Sequence, residues 1–368
     1  MIMKSHTKID RVFLVSVLLL TIAGFFVFSS ASLGLLARDG ASFQSVALNQ
    51  SVSLLIGLVG FVIISRINYR RLRPYSLYIL LFAIILNLLL FIPSLTLNHG
   101  GASRWINLGF ITFQPSEFLK IASVLFFAAW LVGIKEKVLT FRFGILPFIV
   151  IMAILDTLLL IQHDTDTLVV ITCTGIVMLF IAHARIRDLA ILILILGILV
   201  STVAVLRPYV RQRIMTYLNP TLDTQGAGYQ IHQSLIAIGS GGIAGRGFGQ
   251  SIQKFKYLPE PIGDSIFAVQ AEEFGFIGSA GLILLFLLFA FRSMKIASRA
   301  MDNFGGFTVV GITTLIIIEV FLNIGAMLGI TPLSGMPLLF VSHGGTALII
   351  TLGAVGIIAN ISKYQKIE

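Results

Sequence analysis

The stretch VFLVSVLLLTIAGFFVFSSASL, residues 12–33, decides the fold class because it contains 22 consecutive residues without a charged side chain. A helix of about 20 apolar residues, rising about 1.5 Å per residue, crosses about 30 Å of hydrocarbon. Similar apolar runs recur along the whole chain, in which charged residues make up only 11%, whereas they make up about a quarter of ordinary soluble domains. The bilayer is therefore predicted to be the main solvent of this protein.

Apolar runs separated by charge clusters predict an all-α polytopic membrane protein with ten transmembrane helices. The predicted spans are residues 12–33, 46–65, 75–93, 115–133, 143–161, 166–183, 189–206, 265–291, 306–330 and 343–361. The fifth and sixth are separated only by the short polar stretch 162–165, so they form either two spans or one broken pair. We expect residues 1–368 to form a single integral membrane domain, with a long extracytoplasmic loop at residues 207–263 between helices seven and eight.

Lys and Arg are distributed unevenly between the two predicted sides of the membrane. Short loops on one side hold clusters such as Arg70, Arg71 and Arg73, whereas the short loops on the other side hold only Arg38 and Arg104. Because positive charge in short loops stays in the cytoplasm, both termini are predicted to be cytoplasmic. The formal charge of +10 is thus explained by topology, and nucleic-acid binding is not expected, since the cations are not gathered on one face or arm.

Ionisable residues inside or close to a membrane span are candidates for function, because a charge in lipid is energetically unfavourable and is rarely found there without a role. Three groups lie on the predicted outer side: Glu117 and Lys120 at the start of helix four, Asp164 and Asp166 at the junction of helices five and six, and Glu260, Asp264, Glu272 and Glu273 at the start of helix eight. We expect all three groups to converge on one outward-facing site. Asp156 and Glu319, inside helices five and nine, fit structural acids or cavity-lining residues better.

Two simpler interpretations compete with a functional one. Glu117 and Lys120 have the i,i+3 spacing of a helical ion pair, and Asp264 precedes a helix, where Asp commonly caps the N-terminus. Transfer of a sugar to a hydroxyl, in contrast, needs a carboxylate that accepts the proton and cations that bind a pyrophosphate. Asp264 fits the base, while Lys120, Arg104 and the backbone of the glycine-rich loop fit the phosphate-binding groups.

Three stretches of the chain carry a resemblance to a known family. They are RWINLG at residues 104–109 with QPSE at 114–117 and Lys120, then GRGFGQS at 245–251 leading through KYLPE at 256–260 to Asp264, and finally the spacing of Asn323, Gly329, Pro332, Gly335, Pro337, Ser342, Gly344 and Gly345. In these stretches the chain resembles the SEDS (shape, elongation, division and sporulation) proteins, among them RodA and FtsW. The resemblance covers essentially the whole chain.

The resemblance implies a peptidoglycan glycosyltransferase that polymerises lipid II into glycan strands and releases undecaprenyl pyrophosphate. It implies that Asp264 takes the place of the family's essential Asp, as general base, and that Glu117 and Lys120 line the substrate cavity. The further substrate-binding candidates are Arg104, Trp105, Gln114, Ser116, Asp164, Arg246, Lys256, Glu260 and Ser342.

Partners and location are also implied by the resemblance. The expected location is the bacterial cytoplasmic membrane, and the expected partner is a class B penicillin-binding protein, a transpeptidase, within the divisome or the elongation complex. Residues 245–254 read closer to FtsW than to RodA, which favours septal synthesis. No cofactor is expected, since the six His residues show no metal-ligand spacing, but whether a divalent cation (Mg²⁺ or Mn²⁺) accompanies the pyrophosphate stays open.

The chain departs from the family pattern at Ile262 and Gly263, where His-Thr is usual, and at His343, where Tyr, Ser or Ala is usual. Two other functions remain open at this point. A lipid II flippase or transporter is expected to show a midplane site and inverted repeats. A non-catalytic scaffold for a class B penicillin-binding protein is expected to bind its partner without making glycan.

Overall fold

The computed structural model describes residues 8–37, 43–99, 102–107, 112–219 and 226–365. Within them the α-helices are α1 (Arg11–Ser32), α2 (Phe43–Arg66), α3 (Leu72–Leu88), α4 (Pro115–Ile134), α5 (Leu146–Ile161), α6 (Thr165–Ile181), α7 (Ile186–Leu206), α8 (Pro208–Leu218), α9 (Ala227–Ser240), α10 (Ile266–Ser298), α11 (Asn303–Met327) and α12 (Gly345–Ile361). Arg38, Leu108 and Gly109, which the sequence analysis used, lie outside the described residues.

The membrane-crossing helices agree with the predicted spans. Among the described residues, α1, α2, α3, α4, α5, α7, α10 and α11, some extended by short 3₁₀ or π-helical turns, form 8 segments long and apolar enough to cross a membrane. The helices α6 and α12 are also apolar but shorter, with 17 residues each. The predicted all-α polytopic fold is confirmed, and each of the ten predicted spans coincides with one of these eight longer or two shorter helices.

Two parts of the chain contain more regular structure than the sequence predicted. Between α3 and α4 the strands β1 (Thr96–His99), β2 (Ala102–Asn107) and β3 (Thr112–Phe113) form a small antiparallel sheet in that order. The predicted loop at residues 207–263 contains α8 and α9. Both additions lie at the end of the helix bundle that carries the candidate site residues, and they position several of them.

Both described ends of the chain lie together at one end of the bundle. The amide of Asp10 donates to Ser362 Oγ at 3.1 Å, and the Asp10 carboxylate accepts from Arg292 Nη2 at 2.6 Å. Arg292 is in the last two turns of α10, a helix of 33 residues, and Asp264 lies just before its first residue. The part of α10 after an interruption at Gly275, residues 276–298, is by itself about 35 Å long, so Asp264 lies at the opposite end of the bundle from the described ends of the chain.

The helix α11 is the most enclosed of the long spans. In its most apolar stretch of 18 residues, 72% of the residues are buried, compared with 17% for α7. It packs against α4, α6, α10 and α12. A polar side chain on this helix therefore cannot reach solvent and must find its partners on the neighbouring helices. This central position is the reason that α11 can connect residues from distant parts of the sequence.

A buried ionic network fastens the loop before α10 to that helix and to α1. Lys254 Nζ donates to Glu273 Oε1 at 2.6 Å, and Ser30 Oγ donates to the same oxygen at 2.7 Å. Glu272 Oε2 accepts from Ser251 Oγ at 2.5 Å, and Glu272 Oε1 lies 3.6 Å from Arg246 Nε. We call these residues the Lys254 network. Glu272 and Glu273, which were expected to join the outward-facing site, are buried in this network and anchor the loop. Arg246 is partly exposed and stays a predicted substrate contact.

A close backbone approach at Gly275 completes this attachment. Gly275 has φ +63° and interrupts the helical geometry of α10. A Cβ atom there would lie 2.3 Å from the amide nitrogen of Gly245 and 2.6 Å from the carbonyl oxygen of Ile243. Only glycine has both the backbone freedom and the space that this contact requires.

We expect Gly275→Ala to lower the free energy of unfolding by more than the roughly 1–3 kcal/mol that an unfavourable backbone conformation alone contributes. Gly281→Ala is the matched control on the same helix, because nothing lies within 4 Å of its Cβ position. Thermal unfolding of the purified protein in detergent measures both variants. Equal melting temperatures for the two variants would contradict the close approach.

We expect Lys254→Met to destabilise the fold by about 3–5 kcal/mol, since it leaves Glu273 buried without its cation. Lys254 is 0% exposed, whereas Lys256, two residues later, is exposed. Lys256→Met should therefore change stability by no more than about 0.5 kcal/mol. Denaturation of both variants in the same detergent tests the anchoring role, which a similar stability for both would refute.

Candidate functional site

A buried Lys is the first component of the site. Lys120 Nζ donates to Glu117 Oε1 at 2.9 Å and to Glu319 Oε1 at 2.6 Å. Glu117 and Lys120 lie in the first two turns of α4, which begins at Pro115, while Glu319 comes from α11. The predicted i,i+3 ion pair is therefore present, and it has a third member from a distant part of the chain. Burial of all three side chains makes their interaction strong and the loss of one partner unfavourable.

Asp164 is the second component, at the junction of α5 and α6. It caps α6 by accepting from the amide of Thr167 at 3.4 Å and from its hydroxyl at 3.0 Å. Arg104 on β2 places Nη1 3.9 Å from the Asp164 carboxylate and donates to the backbone carbonyl of His163. The small sheet thus places Arg104 against this junction. Trp105, the next residue on β2, is partly buried.

Asp264 lies in the turn that leads into α10. Ser265, and not Asp264, occupies the N-cap position of that helix, and it makes no side-chain capping bond. The simpler interpretation of Asp264 as a helix cap is therefore wrong. Burial raises the pKa of Asp264 to about 7; the hydrogen bond with Gln230 and the charge of Arg213 oppose this, and the charge of Glu260 adds to it.

One face of α11 joins the Lys120 cluster to the Asp264 turn. Glu319 contacts Lys120, and Asn323 Nδ2, one helical turn later, donates to the backbone carbonyl of Asp264 at 2.8 Å. Side chains four residues apart on a helix lie side by side, with Cβ atoms about 5–6 Å apart. Glu117 and Lys120 are thus connected to the Asp264 turn through adjacent turns of α11, which is consistent with the predicted convergence.

The segment before α12 holds the Asp264 turn in place. Ser342 Oγ donates to the carbonyl of Gly263 at 2.6 Å, and the amide of His343 donates to the carbonyl of Ile262 at 2.7 Å. Ser342, predicted to bind substrate, is buried and contacts backbone here. These contacts run through backbone groups, so they do not need the His-Thr pair that is usual before the essential Asp.

The remaining predicted residues surround the site in different ways. Gln114 Nε2 donates to Ser116 Oγ at 3.1 Å, and the Gln114 amide donates to Thr346 Oγ1 at 3.3 Å. These bonds fix the start of α4 against α12. Lys256 and Glu260 are exposed on the loop before α10, where they face solvent and remain free to contact a ligand.

Sequence reasoning missed two residues next to Asp264. Arg213 on α8 donates from Nη1 to both carboxylate oxygens of Asp166, at 3.0 and 3.2 Å, and its charge acts on Asp264. Gln230 on α9 hydrogen-bonds to Asp264 and donates to Ser265 Oγ at 2.9 Å. Pro208, at the start of α8, was an available signal, because Pro favours the first position of a helix. This signal was missed because residues 207–263 were interpreted as one long loop.

A cavity of about 190 Å³ adjoins the Asp166–Arg213 pair. Its walls come mainly from α6, α7, α8 and the segment after α11. Among the described residues, the charged ones that line it are Asp166 and Arg213, and the apolar lining includes Leu199, Val203 and Leu333. An apolar space that ends at a guanidinium suits a molecule with a hydrocarbon part and an anionic group.

The described residues contain no group of three or more His, Cys, Asp or Glu side chains that could hold a metal ion. A divalent cation that arrives with the pyrophosphate therefore remains an open expectation. The cations that the site itself supplies are Lys120, Arg104 and Arg213.

The chain is similar to known proteins over almost its whole length. The family model of the FtsW, RodA and SpoVE proteins, described as cell cycle protein, matches residues 10–367. Stage V sporulation protein E of Bacillus subtilis (strain 168) is 38% identical over 358 residues, which cover 96% of this chain and 96% of that protein. The probable peptidoglycan glycosyltransferase FtsW of Geobacter metallireducens is 39% identical over 373 residues, covering 99% of this chain and 97% of that protein.

Solved structures share the fold. A chain in a structure described as a peptidoglycan synthase complex that coordinates polymerization and crosslinking matches with a TM-score of 0.73 and 26% identity, covering 92% of this chain and 96% of that one. The crystal structure of the rod shape determining protein RodA of Thermus thermophilus matches with a TM-score of 0.72 and 23% identity, covering 98% of each chain. The motifs, the fold and the relatives agree, and the chain belongs to the FtsW/RodA/SpoVE family of cell cycle proteins.

Proposed function

We propose that this chain is a peptidoglycan glycosyltransferase that polymerises lipid II on the outer face of the bacterial cytoplasmic membrane. The observation that carries the proposal is that two residues on one face of α11 contact both parts of the site. Asn323 donates to the backbone carbonyl of Asp264, and Glu319 accepts from Lys120. The charge of Arg213 also acts on Asp264, and a carboxylate near cations at one end of the helix bundle supports the proposal. Several curated relatives are named probable peptidoglycan glycosyltransferase FtsW, which supports the same activity.

In the proposed reaction Asp264 is the general base. Its carboxylate accepts the proton of the acceptor sugar hydroxyl while the hydroxyl oxygen forms a bond to the anomeric carbon of the donor. The bond from that carbon to the pyrophosphate breaks, and undecaprenyl pyrophosphate leaves. A base works best when its pKa lies near the operating pH, and burial places the pKa of Asp264 at about 7.

The donor's diphosphate and hydrocarbon chain have separate candidate positions. Lys120, Arg104 and Arg213 offer charged donors, which bind phosphate oxygens more strongly than neutral ones. The apolar cavity beside Arg213 suits the first isoprene units. Trp105, Gln114, Ser116, Asp164, Lys256 and Glu260 remain predicted substrate contacts, and Ser342 is better placed to hold the Asp264 turn.

Orientation and partner are part of the proposal. The described chain ends share one end of the bundle, and the positive charge of the short loops on that side supports a cytoplasmic position for this end. Asp264 then faces outward. One structural neighbour is a peptidoglycan synthase complex, so we infer a class B penicillin-binding protein as partner. The FtsW names of several relatives support a septal role within the divisome over one in the elongation complex.

We expect Asp264→Asn to reduce polymerisation of purified lipid II by at least about 100-fold, because a general base contributes about 10²–10⁴-fold. Its abundance and melting temperature should match those of the wild type. Glu136→Gln, at an exposed acid on the opposite side of the bundle, is the control. Retained polymerisation by Asp264→Asn would contradict the assignment, and lipid II translocation without polymerisation by the wild type would favour a flippase instead.

The pH dependence of the turnover rate gives a second test. Because the base must be ionised and its pKa is about 7, kcat at saturating lipid II should rise about tenfold per pH unit below 7 and level off above it. The rate is then lost as the pH falls, not as it rises. A kcat that stays constant between about pH 5.5 and 8 would exclude Asp264 as the titrating base.

A further inference from the structure

Glu319 has a feature that its pairing with Lys120 does not explain. One carboxylate oxygen contacts Lys120 Nζ at 2.6 Å, whereas the other, Oε2, has no hydrogen-bond partner. The residue is 0% exposed, so solvent does not satisfy this oxygen either. A buried polar atom without a partner calls for an explanation. Neither the proposed base nor the predicted substrate contacts give Glu319 a role.

Each of the three cations at the site already forms an ion pair with at least one carboxylate. Arg104 pairs with Asp164, Arg213 pairs with Asp166, and Lys120 pairs with both Glu117 and Glu319. Of these three cations, Lys120 is the one held by two acids, both fully buried. A diphosphate that binds Lys120 must therefore compete with two carboxyl groups for the same ammonium.

The other charged groups around Glu319 determine what happens when Lys120 is drawn away. Those that act on it are Lys120 and Glu117 from α4 and Asp164 from the start of α6. Along α11, Asn323 connects it to the turn of Asp264. Apart from Lys120 these ionisable groups are all acids. Without Lys120, an ionised Glu319 would be a buried charge facing only other acids, and such a group takes up a proton instead.

We propose that Glu319 is a positioning residue that holds Lys120 until an isoprenoid diphosphate binds, and that it then exchanges Lys120 for a proton. In this exchange a phosphate oxygen replaces the Glu319 oxygen on Lys120. The carboxylate of Glu319 gains one proton from water and becomes a neutral acid. The inference rests on the proposed function, since it names the diphosphate of that substrate as the competing anion.

Linkage between the two events gives a measurable consequence. If diphosphate binding drives proton uptake, then protons must promote diphosphate binding to the same extent. As the pH rises through the range in which Glu319 is ionised in the free protein, the affinity for the diphosphate should fall by up to about tenfold per pH unit. This trend is opposite to that of the Asp264 base, which gains activity as the pH rises. The two groups together predict a bell-shaped dependence of kcat/KM on pH.

The test measures binding of farnesyl diphosphate to the full-length protein in detergent, so it does not depend on polymerisation. We expect Glu319→Gln to bind about tenfold more tightly than the wild type at pH 8 and to show the smaller dependence of affinity on pH. Comparison of the two proteins at each pH cancels the titration of the ligand and of Asp264. Glu319→Asp keeps the charge and should restore the pH dependence of the wild type.

Asp156→Asn is the matched control, since Asp156 is a buried acid of α5 that contacts Thr172 at 3.4 Å and has no contact with Lys120. It should bind farnesyl diphosphate with the affinity and pH dependence of the wild type. Weaker binding by Glu319→Gln, or a pH dependence equal to that of the wild type, would overturn the proposal and leave Glu319 with a structural role only.

A measurement on the wild type keeps the proposal testable if Glu319→Gln fails to fold. Calorimetry in buffers of different ionisation enthalpy gives the number of protons taken up on binding at pH 8. A value near one is expected, and a value near zero would refute the exchange. If these binding results hold while the wild type makes no glycan, the proposed glycosyltransferase function fails and the Lys120 exchange stands.

Discussion

The contact between Lys120 and Glu319 is the interaction on which the rest of the site depends. It joins the start of α4 to the most enclosed of the long helices, α11, and both side chains are buried. Lys120 Nζ lies within hydrogen-bond distance of both Glu319 and Glu117, and the loss of one partner from such a buried charged cluster is strongly unfavourable. The position of α11 is thereby fixed, and Asn323 on the same face holds the Asp264 turn. A cation and a carboxylate from distant parts of the chain are brought to one place by this helix.

The surroundings of Asp264 are suited to the proposed role of this residue as a base. Its turn is held by backbone contacts from Asn323, Ser342 and His343, so the position of its carboxylate does not depend on a substrate. Burial keeps its pKa near 7, which leaves it able both to accept and to release a proton at neutral pH. The loop that leads to the Asp264 turn is itself anchored by the Lys254 network and by the close backbone approach at Gly275 of α10.

Much of the architecture was predictable from the sequence, because a membrane span needs only a long apolar run. Glu117, Lys120, Asp164 and Asp264 were also predictable, since charges near lipid stand out from such runs. The small sheet was missed because strands of two to six residues give too little alternation to identify. Glu272 and Glu273 were assigned to the site because they lie on the predicted outer side of the membrane. Their partners in the Lys254 network depend on how a long loop folds back, which local patterns do not specify.

The central claim is that a lipid-linked diphosphate and the Asp264 carboxylate share one outward-facing pocket. Its most direct test is an experimentally determined structure of the chain with a bound lipid II analogue whose acceptor or donor cannot react. The account predicts diphosphate density in contact with Lys120 or Arg213, and a sugar hydroxyl within about 3.2 Å of Asp264. Density for the diphosphate at the other end of the bundle, or away from both cations and from Asp264, would contradict it.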